Sequence, residues 1–174
     1  MAYTNVIDAC TDAAFLDGRS ILACATEYSS TSFKLDNGDV VTFGAEEVAV
    51  GKWFEVFPLR RATLDQAYPF VWTTLAQPFA VSGAVQLWRE EWQEPAPSDA
   101  ACVGAGPNRV QCAGPLGSVP ASDDPLFKVH AGILLLGPGE ARIAVCTSAS
   151  SPFLTELALA GPDIARILLE HTPA

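Results

Sequence analysis

Two hydrophobic periods alternate along the chain. In the first 18 residues Val6, Cys10, Ala13 and Ala14 recur at helical spacing. Asn5 stands where a cap belongs, Asp8 falls in the first turn and Gly18 is placed to end the element, so the pattern predicts a short N-terminal helix. Beyond Gly18 the period drops to two, and residues 21–26 and 32–43 read as strands. Within 32–43, Asp36-Asn37-Gly38 divides two alternating runs. A three-residue loop with Gly38 left-handed would gather Phe33, Leu35, Val41 and Phe43 on one face. A two-residue turn at Asn37-Gly38 would instead set Leu35 against Val40 and Phe33 against Thr42 and put Phe43 on the opposite face beside Lys34, and the first register is preferred because it makes one apolar face.

Residues 53–59 carry apolar side chains on both faces, Trp53 and Phe57 alternating with Phe54 and Val56, which predicts a central strand. In residues 84–92 Trp88, Glu90 and Trp92 share one face and Leu87, Arg89 and Glu91 the other. Residues 93–125 hold six prolines and four glycines in 33 positions with little periodicity, the mark of a long irregular loop. Order returns at 128–136, where the alternation puts His130 on the face of Leu134 and Leu136. Residues 142–147 fit as its hairpin partner and 154–159 as the next strand. Gly161-Pro162-Asp163 then opens a C-terminal helix with Pro in the first turn and Ile164, Ile167, Leu168 and His171 on one side.

These elements predict a mainly β fold, an antiparallel meander closed as a barrel or sandwich of about eight strands, with short N- and C-terminal helices. An α+β arrangement with the C-terminal helix across one sheet face is the alternative. At 174 residues the chain fits one domain, 1–174, and with 49% hydrophobic and 17% charged residues it lies far from disordered compositions.

Charge narrows the functional classes. The net charge of −10 disfavours a nucleic-acid or anionic-membrane partner, both of which require clustered Lys and Arg. No apolar run approaches the roughly 18 residues that span a bilayer. Residues 1–5 carry no basic segment leading into an apolar one, so a soluble cytoplasmic protein is expected.

The inventory for chemistry is thin. Cys10, Cys24, Cys102, Cys112 and Cys146 match no zinc-ligand spacing, and no metal or other cofactor is expected. The weak metal candidates are Cys102, Cys112, His130 and Cys146. Cys10, Cys24 and Cys146 read as small core hydrophobes, whereas Cys102 and Cys112 lie in the loop and could pair in an oxidising compartment. A cysteine nucleophile needs a base, and Cys112 with His130 is the weak catalytic candidate. His130 is more naturally a hydrogen-bonded core or edge histidine, and His171 a partner of the helix C-terminus or a surface residue. Glu46-Glu47, Glu90-Glu91 and Asp123-Asp124 read as solvated acids, and no nucleophile elbow or dinucleotide loop is present.

Aromatic residues carry more weight. Trp88, Glu90 and Trp92 form a candidate binding face, aromatic and acid together, suited to a basic protein partner. The favoured expectation is a non-catalytic acidic protein-interaction module, such as a small bacterial accessory protein or an immunity-type inhibitor. The alternatives are a small-molecule-binding barrel or small Cys/His enzyme with the 93–125 loop as a lid, and a self-associating structural subunit of a phage or secretion assembly.

Overall fold

A computed structural model describes residues 5–8, 12–50, 54–62, 69–92, 108–111, 118–119, 126–151 and 153–174. In chain order the strands are β1 (Asn5–Asp8), β2 (Ser20–Thr26), β3 (Ser30–Leu35), β4 (Val40–Ala45), β5 (Val48–Val50), β6 (Phe54–Val56), β7 (Leu59–Ala62) and β8 (Thr73–Ala80). They continue as β9 (Gly83–Trp92), β10 (Asn108–Gln111), β11 (Ser118–Val119), β12 (Leu126–Leu136), β13 (Arg142–Thr147), β14 (Thr155–Ala158) and β15 (Thr172–Pro173). Among the described residues a single 3-10 turn, Ala14–Leu16, follows β1, and one helix, α1 (Gly161–Glu170), precedes β15.

The strands make three sheets among the described residues. One is an antiparallel five-stranded sheet in the order β7-β4-β3-β2-β8. The largest is built around β12: β9 runs antiparallel along one edge, and two strands share the other. Of these, β1 lies parallel to Phe127–Val129 and β13 antiparallel to Gly132–Leu136. Outside them stand β10 and β14, and β15 pairs with β9. The smallest sheet is β11-β5-β6.

The two larger sheets face one another across the main core. Phe33, Leu35, Val41 and Phe43 from the five-stranded sheet meet Ile133, Leu135, Ile143 and Val145 from the larger one. Each large side chain so buried contributes roughly 1.5–3 kcal/mol. A hydroxyl bridge also crosses between the sheets, Thr31 Oγ1 donating to Thr155 Oγ1 at 3.2 Å. On the far face of the larger sheet, Ile164 and Ile167 of α1 cover Leu87, Leu134, Ala144 and Cys146. The architecture is therefore mainly β and largely antiparallel, with the C-terminal helix laid on one sheet face.

The β3–β4 hairpin has the three-residue loop. Phe33 pairs with Val41 and Lys34 with Val40, Gly38 is left-handed at φ 88°, and the four apolar side chains named above are all buried in one cluster. At α1, Ala160 is the cap, Pro stands in the first turn and Asp163 follows.

Three expectations change. Residues 5–8 are a strand rather than the start of a helix, and among the described residues of the first 18 helical geometry is confined to the 3-10 turn. Val6 and Ile7 are β-branched and add a parallel rung to β12, which outweighs a weak helical period. The predicted central strand at 53–59 is interrupted: β6 ends at Val56 and β7 begins at Leu59, and both lie at sheet edges. Pro58 between them has no N–H for a ladder; Trp53 lies outside the described residues. Within 93–125 the described residues form β10 and β11, and the rest, including Cys102 and Cys112, is outside them, as is Cys10.

Candidate functional site

The pairing of β9 with β12 positions most of the candidate residues. Trp88 stands opposite His130, Arg89 opposite Val129, Glu90 opposite Lys128 and Trp92 opposite Leu126. Between His130 and Gly132 the register slips, leaving Ala131 as an extra residue on β12. The slip corrects the sequence alternation: Leu134, opposite Val85, faces α1, but His130 is moved onto the other face with Trp88.

There His130 is fully buried and its ring stacks on Trp88, centroids 5.2 Å apart and planes inclined by 29°. Lys128 Nζ lies 5.1 Å from the Trp88 ring on the same face. Of the predicted Trp88, Glu90 and Trp92 face, Trp88 is thus covered, at 8% exposure, while Glu90 is exposed and Trp92 is 67% exposed. His130 Nε2 is 3.0 Å from the Gly132 carbonyl, which only accepts, so that nitrogen carries the proton. His130 Nδ1 has no hydrogen-bond partner and stands 3.7 Å from Asp8 Oδ1 at the end of β1.

The opposite face holds a second polar cluster. Arg89, 6% exposed, donates from Nε and Nη2 to Glu91 Oε1 at 3.0 and 2.5 Å and from Nη1 to the Thr147 carbonyl at 2.6 Å. Its Nη1 also lies 3.4 Å from His171 Nε2. A guanidinium only donates, so Nε2 accepts, and His171 Nδ1 donates to the Ile167 carbonyl at 3.0 Å. That fixes a neutral tautomer for His171. Burial above all, with the neighbouring Arg89 charge, pulls its pKa below the usual 6.5.

The unfolded chain then binds this proton more readily than the folded one. Its contribution to stability is complete above pH 6.5 and is lost as pH falls toward the lower folded value. We expect the urea midpoint to drop between pH 7.5 and 5.5 and a His171→Gln variant to show a shallower drop. Equal slopes in the two proteins would remove this assignment.

The cysteines among the described residues do no obvious chemistry. Cys24 is buried in the main core and Cys146 beneath α1, and both thiols are raised by burial, Cys146 to about 12. A thiol so raised is not a nucleophile at neutral pH. Cys146 pairs with Gly132 and faces α1, so His130 and Cys146 are on opposite faces of the sheet. Among the described residues no three His, Cys, Asp or Glu groups are placed to hold a metal ion.

Sequence reasoning missed an aromatic ledge. Tyr28 sits in the turn joining β2 to β3, closed by Glu27 N–H to the Ser30 carbonyl; Phe57 follows β6, and Phe153 precedes β14. The Tyr28 and Phe153 rings are 5.5 Å apart, and Phe57 meets Phe153 edge-on at 6.3 Å. Tyr28 is 70% and Phe153 41% exposed. The Thr155 N–H to the Tyr28 carbonyl, at 3.3 Å, ties the two loops together. The three rings belong to segments far apart in sequence, so no local pattern announces the group.

Comparison with protein-family models, with curated proteins and with solved structures finds no match to this chain. Among the described residues no helix is long and apolar enough to cross a membrane.

Proposed function

We propose that the chain is a non-catalytic acidic module that docks a basic protein partner through the ledge of Tyr28, Phe57 and Phe153. The observation that carries this reading is the convergence of three rings from separate loops with two of them substantially in water. Exposed aromatic clusters concentrate binding energy in interfaces, and their faces attract Arg and Lys. Charge supports the same partner: the chain carries −10, Glu27 adjoins Tyr28, and Glu55 is exposed two residues before Phe57. An electronegative surface speeds encounter with a cationic partner and does so less as salt rises.

The test is fluorescence anisotropy of a labelled Arg-rich peptide titrated with the full chain at low and high salt. Binding that weakens with salt, and that Tyr28→Ala weakens about tenfold, is expected. Equal affinity for wild type and Tyr28→Ala, or equal affinity for an Asp-rich peptide, would discard the ledge as the docking surface.

A further inference from the structure

We propose that two copies of the chain pair antiparallel along the outer edge of β8 and form a symmetric dimer. β8 ends one side of the five-stranded sheet and, among the described residues, is paired on one side only, with β2. Its other side is a row of backbone N–H and C=O groups able to extend the sheet by a further strand. Thr73, Thr74, Ala76, Gln77, Pro78 and Ala80 are exposed, while Leu75 and Phe79 pack against the main core and hold the strand in place.

The edges of this fold are not alike. The opposite side of the same sheet is β7, four residues long and carrying Arg60 and Arg61. β14, at the end of the larger sheet, is also four residues long and carries Glu156. Short length and charge are the usual means of keeping a sheet edge from pairing with another chain. β8 has eight residues, none of them charged, and its first two are β-branched threonines that favour a strand. Pro78 lacks an N–H and interrupts the edge there, so the stretch open to pairing is 73–77.

The occupant follows from charge. Residues 66–88 hold no Asp, Glu, Lys or Arg, although 17% of the chain is charged and its net charge is −10. Two copies repel one another at acidic surfaces, and a neutral strand is where they approach without that penalty. A basic partner gains nothing from such a strand. A second copy brings the same uncharged edge, and a strand that pairs with itself antiparallel closes about a twofold axis, so the assembly stops at two.

Pro78 also sets the register. The midpoint of 73–77 is Leu75, and pairing centred there puts Thr74 opposite Ala76 and Thr73 opposite Gln77 of the second copy. One step further Trp72 falls opposite Pro78, so the residue without an N–H lies outside the ladder. There Val71, 81% exposed, and Trp72, whose ring stands 5.1 Å from that of Phe70, add apolar surface to the contact. The β8 edge shares no residue with the aromatic ledge, so it stands or falls separately from that reading.

The test is sedimentation velocity of the full chain from about 1 to about 300 µM at low and high salt. A reversible monomer–dimer equilibrium is expected, strengthened by salt because screening removes the repulsion between two acidic copies. That is the opposite of the salt response expected for a basic partner. A Thr74→Lys, Ala76→Lys double variant places like charges directly opposite one another and should weaken the dimer about tenfold or more. A Thr74→Glu, Ala76→Glu double variant should do the same, and an equimolar mixture of the two should recover a heterodimer, which a merely structural defect would not. Both positions are exposed, and melting temperatures equal to wild type at a concentration where all are monomeric show that the variants fold. A monomer at every concentration, which would leave the edge to a strand of another protein, overturns the proposal. So does a dimer that the lysine variant leaves intact, or a mixture that stays monomeric.

Discussion

Arg89→Ala is expected to destabilise the fold by about 3–5 kcal/mol, the usual consequence of removing one member of a buried charged pair. Arg89 serves three acceptors at once: the Glu91 carboxylate, the Thr147 carbonyl and His171 Nε2. Alanine leaves Glu91, whose side chain is 12% exposed, with its charge uncompensated, and leaves a buried carbonyl on β13 without that donor. A domain holds together by about 5–15 kcal/mol in all, so the variant would lie near its unfolding threshold. The loss should be felt first at the C-terminus. There β15 pairs with β9, and the Ala174 N–H donates to the Gln86 carbonyl at 3.0 Å. Urea unfolding reads the total, and hydrogen exchange at residues 171–174 reads the local release. Arg89→Lys should recover little, because one ammonium does not reproduce a fork reaching Glu91 and Thr147 together. An Arg89→Met, Glu91→Leu double variant should recover most of it, since an apolar pair carries no uncompensated charge. Arg89→Ala within 1 kcal/mol of wild type would mean that water already serves these groups.

The elements readable from sequence are those whose geometry is decided by neighbours in the chain. The β3–β4 loop is one, because Asp36-Asn37-Gly38 and the flanking alternation point to a single register. The start of α1 is another, with Pro162 and Asp163 in its first turn. What was not readable depends on residues far apart. The 128–136 run is apolar on both faces, since β12 is buried by the second sheet on one side and α1 on the other. Inserting Ala131 as a bulge therefore exposes nothing, and no polar residue betrays it. His130 was for that reason assigned to the wrong face, and the pattern left open whether it lay in the core or at an edge. The alternation placed Arg89 on one face with Leu87 and Glu91 but gave no sign of its burial, which involves His171, 82 positions later. Residues 5–8 show the same limit in another form. A four-residue segment has little intrinsic preference, and the parallel contact with β12 decides it. The candidate sites divide likewise: Trp92 is exposed, Trp88 is claimed by His130, and the ledge is assembled from segments that share no local pattern.

Gly132→Ala is expected to cost about 2–3 kcal/mol, a large penalty for one methyl group. A Cβ built at Gly132 would stand 2.7 Å from both the Cys146 Cβ and the Val145 carbonyl oxygen, and 3.0 Å from the Cys146 Cα. Those atoms belong to β13 or are fixed directly to it, so relief requires β12 and β13 to separate along the ladder that pairs Gly132 with Cys146 and Ile133 with Val145. That separation would act on both layers, because Ile133 and Val145 belong to the inter-sheet core while Cys146 lies under α1. It would also shift the Gly132 carbonyl that holds His130 Nε2, and with it the ring stacked on Trp88. Two signals should therefore move together, the urea midpoint and the near-ultraviolet dichroism of tryptophan. The comparison is Gly83→Ala on β9, where the nearest atom to a new Cβ is the Leu136 Cδ1 at 3.8 Å, an ordinary contact. That variant should stay within about 0.5 kcal/mol of wild type, as surface changes usually do. Equal stability of the two alanine variants would show that β13 yields without cost, and the close approach of the strands at Gly132 would then not be what holds the bulge and His130 in place.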